Sequence, residues 1–166
     1  MNRRLLLGLF TLGITLPFTV RSANKKLELK DLKSNAELGV VYHCDFGQED
    51  RFRTMLTNIR NHLSVYENNP LKLKVVVVVH GQGLKFFVKD LAGTPWSQEQ
   101  IKLSELHQQE KDLSLMGVDF YICNITLNRL KISQDNLVEF ASIVPSGVAV
   151  ISHLQCVEKF AYIKVQ

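Results

Sequence analysis

The sequence predicts an α/β fold, a three-layer α/β/α domain built on a mainly parallel sheet of about five strands. Three observations carry this. Five valines stand in a row, Val75 to Val79, and a run apolar on every side suits a strand buried on both faces, as in a parallel sheet covered by helices. Stretches with apolar residues at helical spacing lie between this run and the other apolar runs. Turn-forming residues such as Asn68-Asn69-Pro70 and Gly81-Gln82-Gly83 fall at the joints.

The elements follow in order. Leu38 to His43 reads as the first strand. Glu49 to Tyr66 is a helix, because Phe52, Leu56, Ile59, Leu63 and Tyr66 recur at three or four. Asp45 is placed to cap it, or Glu49 and Asp50 suit its first turn. Asn68-Asn69-Pro70 stops it. Leu73 to Val79 is the second strand, Gly81 to Gly83 a turn, Leu84 to Leu91 a short helix, and Ala92 to Trp96 a loop. Ser97 to Leu115 reads as a long helix with Ile101, Leu106, Leu113 and Leu115 among its apolar points. Val118 to Cys123 is the third strand. A helix is expected near Gln134 to Phe140, then a short apolar run before Pro145. Ser146-Gly147 opens the last helix, with Val148, Ile151, Leu154 and Val157 at spacing three, and Phe160 to Val165 is the last strand. No internal repeat is present.

Residues 1–23 have the parts of a secretory signal: Arg3 and Arg4, an uncharged apolar run from Leu5 to Val20, and small residues at Ser22 and Ala23. Cleavage after Ser22 puts Val20 and Ser22 where the peptidase wants small side chains. The apolar run is broken by Gly8, Gly13 and Pro17 and falls short of the roughly 20 residues that cross a bilayer. The expectation is therefore a periplasmic or otherwise exported protein, touching a membrane only if the signal stays uncleaved. Arg3-Arg4 before leucines also faintly resembles a twin-arginine signal. Residues 24–36 read as a linker or arm, and residues 37–166 as one domain.

The signal changes the charge argument. The chain has 20 Lys+Arg against 16 Asp+Glu, a net +4. Arg3, Arg4 and Arg21 would leave with the signal and no acidic residue would, so the remainder is near neutral. The basic balance is a targeting effect, and nucleic acid is not expected as a partner. Three cysteines, Cys44, Cys123 and Cys156, leave at least one thiol unpaired within a monomer. No pair has zinc-ribbon or Cys-x-x-Cys spacing.

Ligands bind at the carboxyl ends of strands in open parallel sheets. The first strand ends in His43-Cys44-Asp45, the second in His80-Gly81 and the third in Cys123-Asn124. If the three are neighbours, two thiols and two imidazoles gather on one edge. A thiol at a strand-to-helix junction lies near backbone N–H groups that favour its reactive thiolate, so Cys123 is the catalytic candidate; the bland alternative is a small buried hydrophobe. His80, Gly81, Asn124, His43 and Cys44 are the binding candidates. His80 is placed to hold a thiolate or donate to an anion. Gly81-x-Gly83 has Phe86 where a dinucleotide loop has its third glycine, so a tight turn is the expectation. Cys156 reads as core or interface, and His62 and His153 as structural. His43, Cys44, His80 and Cys123 are chemically fit for a metal, but they come from separate elements without a compact motif, so no metal and no cofactor is expected.

Five stretches together carry a resemblance. They are Val40-Val41-Tyr42-His43, then Leu56 through Leu63, then Val76 through Gly81, then Gly117 through Leu127, and finally Val144-Pro145-Ser146-Gly147 running to Leu154-Gln155 and Ala161 through Lys164. From about Leu38 to Val165 the chain resembles the DsrE/DsrF-like family of small α/β proteins. The resemblance implies a compact α/β/α domain that assembles as a homotrimer or hexamer, and a sulfur-relay subunit in which a cysteine carries sulfur as a persulfide. Cys123 matches that cysteine. The family's cytoplasmic relay members work with dedicated partner subunits, whereas this chain is expected to be exported. No family role falls on Cys44 or Cys156.

Three functions follow as expectations. The first is sulfur handling, with Cys123 taking a sulfur atom from a donor protein and passing it to an acceptor, and His80 with the N–H groups after Cys123 stabilising the anion. The second is a non-catalytic ligand-binding or homo-oligomeric assembly module. The third is a thiol-redox protein pairing Cys44 with Cys123, which requires their α-carbons within about 7 Å.

Overall fold

The computed structural model describes residues 23–166, so the expected export signal, apart from Ala23, lies outside the described residues. The chain forms a five-stranded sheet, all parallel, in the order β4-β3-β2-β1-β5. The strands are β1 (Leu38–Cys44), β2 (Leu73–Val79), β3 (Asp119–Cys123), β4 (Ser142–Val144) and β5 (Ala161–Lys164). The helices are α1 (Glu49–Val65), α2 (Leu103–Leu115), α3 (Asn124–Leu130) and α4 (Gly147–Cys156). Three short 3-10 helices, Leu29–Asp31, Gly81–Phe87 and Gln134–Asn136, complete the described elements.

The valine run is the middle of the sheet. β2 pairs with β1 on one side and β3 on the other, which satisfies its backbone along both edges. Alternation then sends successive valines to opposite faces. Val75, Val77 and Val79 pack with Phe52, Met55 and Ile59 of α1, Leu106 and Leu113 of α2, and Phe86 and Phe87. Val76 and Val78 pack with Val150 and Leu154 of α4, Leu27, Leu32 and Phe160. Two helical layers thus sandwich one sheet. Residues 24–36 dock as an arm along β4: Leu27 N donates to Ile143 O at 2.9 Å, and Asn24 Nδ2 donates to Val138 O at 2.7 Å.

Several elements differ from the sequence reading. The helix expected near Gln134 to Phe140 is only the 3-10 turn Gln134–Asn136, because Asn136 turns aside to bind Asp90 through its side chain. The long helix begins at Leu103, not Ser97; the chain before it turns through Thr94 and Trp96. The stretch after β2 is a 3-10 helix from Gly81 to Phe87 instead of a helix from Leu84 to Leu91. Gln48, not Asp45, occupies the N-cap position of α1, and its side chain makes no capping hydrogen bond. In α4 the buried residues are Gly147, Val150 and Leu154, spaced by three and four, whereas Val148 and Val157 face solvent.

Candidate functional site at the carboxyl edge of the sheet

β1, β2 and β3 are neighbours, so their carboxyl ends lie side by side. The register fixes how. Cys44 pairs with Val79, and Val79 with Ile122. His80 N donates to Cys44 O at 3.1 Å, which carries the parallel pairing one step further. Cys123 pairs with Val144, and α4 starts three residues on at Gly147. Ser146 caps α4 by accepting from Ala149 N at 3.4 Å.

The face then decides which predicted residues meet. His43 follows Val41 on the α4 side of the sheet, whereas Cys44 follows Tyr42 into the α1 side. His43 Nε2 and His80 Nε2 are 2.6 Å apart. His43 Nδ1 meets the Tyr162 hydroxyl at 2.8 Å. Asp45 Oδ2 stands 4.0 Å from His43 Nε2. Burial holds both imidazoles below the usual histidine value; the Asp45 carboxylate pulls each back up, and His80 with Arg51 at His43, and Arg129 at His80, oppose it. Both rings are therefore neutral at neutral pH.

Cys123 shares this face. A methyl group placed on Gly147 would lie 3.1 Å from His80 Cδ2 and 3.4 Å from Cys123 Cβ. His80, Cys123 and the amino end of α4 thus crowd around one glycine, which lets the helix start this close to the strand ends. Cys123 is 5 % exposed. It adjoins His80 without a hydrogen bond between them. Ile125, two residues after it in α3, and Val148, next to Gly147 in α4, are exposed. Asn124 points elsewhere: with Asn128, Gln134, Val144, Pro145 and Lys26 it lines a cleft of about 260 Å³ beyond β4.

Cys44 does not join the site. It is fully buried beneath Gly83, whose Cβ would fall 2.4 Å from Cys44 O. Gly83 is thus a packing glycine, and Gly81, at φ +57°, makes the turn. Burial, with Glu110 and Asp45 nearby, pushes the Cys44 thiol well up, so it stays protonated. The expected gathering of two thiols is therefore corrected to one. A Cys44–Cys123 redox pair is excluded as well. Cys44 lies level with Ile122 two strands away, about 9.5 Å, and the two thiols point to opposite faces, outside the roughly 7 Å a disulfide tolerates.

Cys156 ends α4 exposed, not in the core. His62 Nδ1 bonds the Tyr42 hydroxyl at 3.1 Å and His153 lies 3.8 Å from Glu158, both structural. Among the described residues no group of three or more His, Cys, Asp or Glu side chains is arranged to hold a metal ion. Two participants escaped the sequence reading. Asp45 serves His43 and not the helix. Tyr162 reaches His43 because β5 pairs with β1, Tyr162 opposite Val41, on the same face. Alternation along β1 and β5 carried that signal, but only once their adjacency is known.

The comparisons agree with this architecture. No curated protein matches the chain. Among solved structures, a protein of unknown function, MTH1491 from Methanobacterium thermoautotrophicum, is similar at 26% identity and a TM-score of 0.62, covering 77% of this chain and 99% of its own. The DsrE/DsrF-like family model matches residues 25–163. The chain belongs to the DsrE/DsrF-like family and shares, in general terms, its sulfur-relay-related role.

Proposed function

We propose that this protein is an exported sulfur-binding or sulfur-relaying protein in which Cys123 holds the sulfur as a persulfide. The observation that supports this is the position of Cys123, at a strand end beside His80 and the amino terminus of α4. A helix amino terminus favours an anion, and a neutral histidine next to a thiol site can donate to one.

The chemistry balances without an outside oxidant. The Cys123 thiolate attacks the outer sulfur of a donor persulfide. The donor S–S bond breaks, the donor leaves as a thiolate, and a new S–S bond joins Cys123 to the transferred sulfur. An acceptor thiolate then attacks that outer sulfur and releases Cys123. The thiol proton lost at the start ends on the departing donor. Exposed Ile125 and Val148 flank the site, and such apolar residues suit contact with a donor, an acceptor or further copies in a homo-oligomer. Transfer of sulfur from a small persulfide to an acceptor thiol is expected to fall to background in Cys123→Ser and to persist in Cys156→Ser. Equal transfer by the wild type and Cys123→Ser would remove Cys123 from the role.

One observation favours a second reading, a non-catalytic ligand-binding or assembly module. Cys123 is only 5 % exposed, with apolar surface beside it. On that reading Cys123→Ala leaves both oligomer size and ligand binding unchanged.

A further inference from the structure

We propose that Tyr162 and His43 are positioning residues that hold His80 with its proton on Nδ1, so that the strand-end site offers a neutral N–H donor to an anionic sulfur group. The identity of the anion rests on the reading of Cys123 as a sulfur carrier; the position of the proton does not.

A neutral imidazole has one N–H and one bare nitrogen. The Nε2 atoms of His43 and His80 are 2.6 Å apart. At that distance one must donate and the other accept, since two protons or two lone pairs would repel. Only two neutral arrangements satisfy the whole chain. In one, the Tyr162 hydroxyl donates to His43 Nδ1, and His43 Nε2–H donates to His80 Nε2. His80 then carries its proton on Nδ1. In the other, every bond is reversed, and His80 Nδ1 is a bare acceptor.

Two features select the first. The Asp45 carboxylate lies 4.0 Å from His43 Nε2, and a negative charge there attracts a proton to that nitrogen. The second is the chemistry of Tyr162. A phenol gives its hydrogen to an imidazole nitrogen more readily than it accepts one, because its oxygen lone pair is drawn into the ring. Burial acts most strongly against a second proton on either ring, and the neighbouring imidazole and Arg51 at His43, and Arg129 at His80, act in the same direction. His80 Cδ2 is on the edge of the ring that faces Gly147 and Cys123 Cβ, so Nδ1, on the opposite edge, points away from Cys123 and is left for the anionic sulfur group of a bound donor or acceptor.

The chain of bonds runs from the edge strand to the middle of the sheet. Tyr162 on β5 sets His43 on β1, and His43 sets His80 after β2. Tyr162→Phe keeps the aromatic ring and deletes only the hydrogen-bond donor. His43 then loses one of the two features that fix its tautomer, and His80 Nδ1 becomes an acceptor in part of the population.

Nitrogen NMR of the imidazole rings in the full chain tests this at neutral pH. The wild type is expected to show His80 protonated at Nδ1 and bare at Nε2, with His43 the reverse. Tyr162→Phe is expected to move both rings to averaged values, and to slow sulfur loading of Cys123 about tenfold with an altered pH profile, as for the loss of one hydrogen bond. A wild-type His80 protonated at Nε2, or ring spectra unchanged by Tyr162→Phe, would overturn the proposal. So would loading that keeps its rate and pH profile while the tautomers average. A wild type that takes up no sulfur at all would overturn the carrier reading instead, and the tautomer would stand or fall by the spectra.

Discussion

Glu110→Met is expected to stabilise the protein by about 3 kcal/mol at neutral pH and by much less near pH 4. Glu110 is fully buried on the inner face of α2, and neither carboxyl oxygen has a hydrogen-bond partner within the protein. Burial pushes its carboxyl well above the usual range. The sign follows from linkage. In the unfolded chain this group ionises at about pH 4.3; in the folded chain it keeps its proton to higher pH. Its contribution is fully present below the unfolded value and is lost as pH rises toward the folded one. The gap between variant and wild type should therefore widen by up to about 1.4 kcal/mol per pH unit across that window. Urea denaturation of both proteins at several pH values measures it. A gap that does not change with pH would mean that Glu110 finds a partner for its charge. Methionine is the choice because it is unbranched, close in length and brings no polar hydrogen.

The three thiols are expected to separate by orders of magnitude in native-state alkylation. Cys156 is exposed and should react at the rate of a free thiol. Cys44 is fully buried and held protonated, so it should wait for global unfolding. For a domain of ordinary stability that slows it by about a thousandfold or more. Cys123, at 5 % exposed, should react at a rate between the two. A time course resolved by peptide mass reads all three at once. Reaction of Cys44 on the time scale of Cys156 would contradict the packing of Gly83 against it. A Cys123 as silent as Cys44 would favour the assembly module over the sulfur carrier.

The sheet was legible because its physics is local. Five successive valines fit only a strand covered on both faces, and both faces are covered. The irregular stretches were less legible, because side chains such as Asn136 and Thr94 divert the backbone with hydrogen bonds to distant or non-helical partners. The separation of His43 from Cys44 was legible in principle, since neighbours in a strand face opposite ways. The contact of His43 with His80 was not, because it depends on the register of β1 against β2. Tyr162 was hidden for the same reason: nothing local to β5 says that it lies beside β1. Glu110 shows a signal that charge masked. Leu103, Leu106, Glu110 and Leu113 recur by three, four and three along the buried stripe of α2, so spacing assigns Glu110 inward while its chemistry suggests solvent.

The role of Cys123 is the centre of the account, and locating the transferred sulfur tests it most directly. The Cys156→Ser chain, which removes the one exposed thiol, is treated with a small persulfide, digested under acidic conditions and its peptides weighed. The expected result is one added sulfur on the peptide carrying Cys123, none on the peptide carrying Cys44, and loss of the added sulfur on treatment with an acceptor thiol. Peptides with no sulfur on Cys123, while the untreated thiol remains free to alkylate after unfolding, would contradict it.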